Sequence, residues 1–158
     1  MNYTEILVYI RKIIRSVNLD SKRIEKEYGI SIPQMLCLNF LKEQKEHRAA
    51  QKDIKDFLQL NASTVTGIIK RLEKKALVAR LPKQEDRRVG LITITAQGAE
   101  LLESAPEPMH ELLKIKLQKL PPDKIDELGR AFRLIIDFLD IKSVEASPIV
   151  TGGANIDE

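Results

Sequence analysis

The segment from Gln51 to Thr95 constrains this chain more than any other. Val65, Ile68, Ile69 and Leu72 fall on one side of a helix, at about 100° per residue. Ser63, Gly67, Lys70 and Lys74 centre on the opposite side. Such a helix has one aliphatic face for a core and one small, hydroxylated and cationic face. Ahead of it lies a shorter helix, from about Ala50 to Leu58, with Ile54, Phe57 and Leu58 on its inner side. Only Gln59-Leu60-Asn61 separates the two, enough for a tight turn alone. Asn61 is placed to cap the second helix. Leu60 and Val65 hold the spacing of a hydrophobic staple across that cap.

Behind this pair, Val78 to Pro82 and Leu91 to Thr95 read as short strands. They flank the charged stretch Lys83-Gln84-Glu85-Asp86-Arg87-Arg88, which makes a hairpin. Short helix, tight turn, capped helix and basic hairpin is the order of a winged helix-turn-helix. The outward chemistry suits duplex DNA. Ser63, Thr64 and Thr66 occupy the first turns, where short polar side chains meet base edges. Gly67 lets the backbone approach closely, although a glycine within a helix costs about 1 kcal/mol relative to alanine. Lys70 and Arg71 suit phosphates or guanine edges. Arg87 and Arg88 suit insertion into a minor groove.

Charge distribution agrees with this reading. From His47 to Gly90 there are eleven Lys/Arg against five Asp/Glu, and the rest of the chain carries fifteen against eighteen. A basic middle between mildly acidic flanks is the footprint of a nucleic-acid surface. Charge alone does not separate sequence-specific binding from non-specific architectural binding. A winged-helix module that binds protein is the other alternative, but its outward face would be apolar or acidic.

The flanks are helical. Tyr3, Ile6, Leu7, Ile10, Ile13, Ile14 and Val17 form one stripe on a first helix ending near Tyr28-Gly29. Ser31 caps a second helix, Ile32 to about Gln44, and Glu43 to Arg48 is a polar connection. Thr95 caps a long helix reaching about Leu120, which Pro106 and Pro108 kink or break. The last helix starts around Pro121-Pro122, with Ile125, Leu128, Phe132, Ile135 and Leu139 as its stripe. From Ser143 the chain is a tail too poor in apolar residues to fold alone.

Other classes are excluded. No apolar run approaches the roughly 20 residues that span a membrane, and no signal peptide opens the chain, so a cytoplasmic location is expected. The single cysteine, Cys37, rules out an internal disulfide. No paired carboxylate, nucleophile–base pair, phosphate loop or metal-ligand spacing occurs. The chain is therefore expected to have no catalytic residues, no metal and no cofactor. His47 and His110 are expected at surface or structural positions.

The block Gln51-Lys-Asp-Ile-Lys-Asp-Phe-Leu-Gln-Leu-Asn-Ala-Ser-Thr-Val-Thr-Gly-Ile-Ile-Lys-Arg-Leu-Glu-Lys-Lys-Ala-Leu-Val78 resembles the helix-turn-helix of the MarR family of bacterial and archaeal regulators. Asp86-Arg87-Arg88, followed by Ile92-Thr-Ile-Thr-Ala-Gln-Gly98, is similar to that family's wing. The resemblance covers roughly residues 3 to 142. It implies a mainly α fold with a small β-wing, in one domain over residues 1–142 with a tail at 143–158. The winged helix would span about 32–95, flanked by dimerisation helices at about 3–28 and 96–142. The implied function is a homodimeric transcriptional regulator, often a repressor relieved by a small-molecule effector. Its partner is a pseudo-palindromic operator in double-stranded DNA.

By the same resemblance Ser63, Thr64, Thr66, Lys70 and Arg71 face the major groove. Arg87 and Arg88 serve the wing, and Asp86 orients a wing arginine. Gln59 and Ala76 stand at turn positions where the family usually has glycine. Peroxide sensors in the family carry a reactive cysteine in the first helix, where this chain has none. Cys37, in the apolar run Met35-Leu36-Cys37-Leu38, is expected in the core. Effector pockets in the family lie between the dimer helices and the winged helix. Tyr9, Met35 and Met109 are candidates to line one, although buried core roles are the stronger expectation for all three.

Overall fold

The computed structural model of the protein describes residues 2–83 and 89–144. The chain divides into two compact units, with the boundary after Pro106.

In the first unit, helix α1 spans Tyr3–Tyr28. Asn2 caps it, its side chain accepting from the Glu5 backbone N–H at 3.1 Å. Gly29 ends it in the left-handed region at φ 68°, where glycine carries no Cβ penalty. Helix α2, Ile32–Glu43, opens with a capping box in which the Ser31 side chain and Gln34 satisfy each other's backbone N–H groups. Ile32, Met35, Leu36, Cys37, Leu38 and Leu41 are all buried, so α2 is apolar on nearly every side. A helix of that kind belongs at the centre of a core.

A 3₁₀ turn, Lys45–His47, and a short strand β1, Arg48–Ala50, follow. The expected polar connection is therefore partly a strand. β1 pairs antiparallel with β3, Leu91–Ile94, so that Arg48 faces Thr93 and Ala50 faces Leu91. β2, Val78–Arg80, pairs with the other edge of β3, giving the order β1-β3-β2. Between β1 and β2 run α3, Gln51–Leu58, and α4, Ala62–Lys74. Ile54, Leu58, Val65, Ile68, Ile69, Leu72, Val78 and Ile92 join the α2 residues in one continuous core. Phe40 of α2 and Phe57 of α3 stack at its margin, with ring centroids 4.5 Å apart.

The long helix expected from Thr95 to Leu120 is two helices. α5 spans Ala96–Ser104, and α6 spans Met109–Leu117. Pro106 and Pro108 remove two N–H donors and push the residues before them out of the helical region. Ala105 is extended at ψ 141° and Pro108 at ψ 151°.

The second unit holds α6 and α7, Pro122–Phe138, with Pro122 in the first turn of α7 as expected. No residue of α7 is buried within one chain, and Phe132 is 54% exposed. In the first unit α1 behaves likewise over most of its length. Only Ser21 and Ile24 are buried, while Ile6, Leu7, Tyr9, Ile13 and Ile14 are exposed. Met35 does take the expected core role, at 1% exposure, but Tyr9 at 48% does not. Tyr9 lies on the outer part of α1, beyond the stretch that reaches the core.

Candidate nucleic-acid interface

The interface begins at the turn before α4. Gln59 closes α3 in the left-handed region at φ 55°, donating its side-chain amide to the Asp56 carbonyl at 2.6 Å. Leu60 and Val65 on either side of the cap are both buried, as a staple requires. Asn61 Oδ1 accepts from the Thr64 backbone N–H at 2.8 Å and from the Ser63 hydroxyl at 2.8 Å. The start of α4 is thus fixed in both direction and rotation.

With the helix so placed, Val65, Ile68, Ile69 and Leu72 are buried. Ser63, Lys70, Arg71 and Lys74 are exposed; Thr64, Thr66 and Gly67 are half-buried. The division read from periodicity is the one the fold makes. Ser63 spends its proton on Asn61, so its oxygen faces outward as an acceptor only. A Cβ built on Gly67 would lie 3.3 Å from the Arg71 guanidinium, which drapes across this residue. Gly67 therefore makes room for Arg71.

The cations sort into two groups. Arg80 is paired with Glu73 at 3.2 Å, and Lys75 donates to the Gly29 carbonyl at the end of α1. Lys70, Arg71 and Lys74 have no acidic partner among the described residues. Unpaired cations on one face are what phosphates recruit by counterion release. Beyond β2 the Leu81 N–H donates to the Leu91 carbonyl at 2.8 Å, extending the pairing of β2 with β3. Asp86, Arg87 and Arg88 of the wing tip lie outside the described residues.

One residue of this face escapes a reading by periodicity. Gln51, at the start of α3, donates its side-chain amide to the Thr66 hydroxyl at 2.8 Å. Thr66 in turn donates to the Ala62 carbonyl at 2.9 Å. The pairing depends on how α3 crosses α4, which no spacing within either helix reveals.

The far end of α4 is equally fixed. Ala76 sits at φ 58°, with Leu77 N–H donating to Leu72 at 3.0 Å and Ala76 N–H to Glu73 at 2.9 Å. These are the two bonds of a Schellman cap, closed here without glycine. Thr95 then clasps the cap, its hydroxyl donating to the Ala76 carbonyl at 2.7 Å and its N–H to Leu77 at 3.1 Å. Cys37 stands apart from all of this. It is wholly buried, and desolvation pushes its thiol up to about 12, so it holds no thiolate at neutral pH. Among the described residues no helix is long and apolar enough to cross a membrane.

A capped helix whose outward face is polar and cationic, beside a three-stranded antiparallel sheet, is the arrangement of a winged helix-turn-helix DNA-binding regulator. The model of the MarR family matches residues 30–89. The chain is 28% identical over 147 residues to an uncharacterized HTH-type transcriptional regulator, YdgJ, of Bacillus subtilis, covering 90% of this chain and 82% of that protein. It is 29% identical over 129 residues to the organic hydroperoxide resistance transcriptional regulator of the same organism, covering 82% and 85%. The solved structure of Sco3205, a MarR family regulator from Streptomyces coelicolor in complex with DNA, shares the fold. Its TM-score is 0.60 at 22% identity, with 94% of each chain covered. Over residues 30–89 the chain is similar to the MarR family of transcriptional regulators.

Proposed function

We propose that the protein is a homodimeric, sequence-specific repressor of transcription that acts in the cytoplasm. It binds a pseudo-palindromic operator in double-stranded DNA, and a small-molecule effector releases it. The observation that carries this reading is the outward face of α4, hydroxylated at its start and unpaired in charge at its end. Ser63, Thr64, Thr66, Gly67, Lys70 and Arg71 meet the major groove. Arg87 and Arg88 enter the adjacent minor groove, and Asp86 orients one of them. The exposed apolar faces of α1 and of α7 support the dimer, because water is a poor partner for Ile6, Ile13, Leu128 and Phe132.

Selection of bound duplexes from a random pool tests the whole reading. A palindromic consensus with half-sites about 34 Å apart is the expected result. Recovery of unrelated sequences would instead make the protein a non-specific DNA binder. Sedimentation at micromolar concentration tests the assembly, with a monomer as the refuting outcome.

A further inference from the structure

Thr66 is the one outward residue of α4 whose hydroxyl is bonded to another helix. Its proton goes to the Ala62 carbonyl and one lone pair takes the amide of Gln51. The oxygen is thereby turned back along α4 and across toward α3. The hydroxyl cannot donate to the acceptor edge of guanine without breaking the bond to Ala62. One lone pair remains, on an oxygen already turned toward α3, so what Thr66 has left to offer outward is its γ-methyl, which diverges from the oxygen at Cβ on a half-buried residue.

We infer that Gln51 is a specificity-determining residue: it locks Thr66 so that its methyl, and not its hydroxyl, reads the operator. The group that a methyl recognises in the major groove is the C5-methyl of thymine. Gln51 acts through Thr66 and is a positioning residue. Ser63 is held differently, since its proton goes to its own helix cap and its oxygen remains an acceptor. This inference rests on the operator-binding reading above.

The test is selection from a random pool with the full chain and four variants. The wild type should enrich thymine about fourfold at one position in each half-site, the worth of one buried methyl. Thr66→Val, which removes the hydroxyl but holds its methyl by the single χ1 rotamer a helical valine prefers, should preserve that enrichment without help from Gln51. Thr66→Ser, which keeps the hydroxyl and removes the methyl, should abolish it. Gln51→Met, of similar bulk without the donor, and Gln51→Ala should weaken it at that position alone, with the salt dependence of binding unchanged. Thermal unfolding of each variant identifies any that fail to fold, and two substitutions at each position keep the test open.

Loss of the preference in Thr66→Val would show that the hydroxyl reads, and would overturn the inference. So would an unchanged consensus in both Gln51 variants. A wild type that selects no consensus would instead defeat the functional reading itself, which is a separate result.

Discussion

Gly98 lies so close to Leu77 that a Cβ built on it would sit 2.3 Å from the Leu77 carbonyl oxygen. That carbonyl is not free to move, because it accepts the Thr95 N–H at 3.1 Å. The same Cβ would meet Ile94 Cγ1 at 2.8 Å. Gly98→Ala should therefore lower stability by about 1–3 kcal/mol, as overpacking a fixed site does. Thermal unfolding of the variant measures this, and an unchanged melting temperature would place slack in the contact.

Ala76 predicts the opposite sign. It holds a left-handed conformation with a Cβ, at a cost of roughly 1–2 kcal/mol. Glycine there removes that cost but adds roughly 0.4–1 kcal/mol of unfolded-state entropy. Ala76→Gly should thus stabilise by about 0.5–1 kcal/mol. Gln59→Gly should gain less, because it also deletes the 2.6 Å bond to Asp56. Denaturant midpoints of the two variants should rank in that order.

Lys70 has no acidic partner among the described residues, so its removal should cost phosphate binding and little else. Lys70→Ala should reduce the slope of log affinity against log salt by about 0.9 per contact, or about 2 in a dimer. Base preferences should stay as they were. Affinity titrations at several salt concentrations would reveal a base contact in place of a phosphate contact if the preferences shifted.

Cys37 should be inert in the native protein. Iodoacetamide at pH 8 should label it only as fast as the fold opens, and denaturant should accelerate labelling. A pH effect follows from the raised thiol. Below about pH 9 both folded and unfolded chains hold it neutral, and its full contribution is present. From there to about pH 12 only the unfolded chain ionises, so stability falls as pH rises. Rapid labelling of folded protein would mean that the thiol reaches water.

Phe132 is half-exposed on a helix with no buried residue. Phe132→Glu should leave the winged helix folded and shift the protein toward monomer. Sedimentation and far-ultraviolet circular dichroism, taken together, separate that result from simple unfolding.

Much of this was legible in the sequence because it is local. Gly29, Ser31, Asn61 and Thr95 announce helix ends through chemistry that acts over three or four residues. The two faces of α4 follow from periodicity alone. β1 was not legible, because Arg48-Ala49-Ala50 has no alternation and its partner lies beyond two helices. The break between α5 and α6 was signalled by Pro106 and Pro108, but not the four residues it occupies, Ala105 to Pro108. The bond from Gln51 to Thr66 was hidden for a different reason. It joins two helices whose crossing is set by the core beneath them. The apolar stripe of α1 was plain, but a stripe does not say whether its own chain covers it, and the exposure of Ile6, Leu7, Ile13 and Ile14 shows that here it does not.

The separation of faces on α4 bears on how such a protein can change its target. Ser63, Lys70 and Lys74 contribute nothing to the core, so each can be exchanged without a compensating change elsewhere. Thr66 is different, because it is tied to another helix. A descendant that alters residue 66 leaves an amide without its partner at residue 51. Drift at these two positions should therefore be coupled, while Ser63, Lys70 and Lys74 diverge one residue at a time.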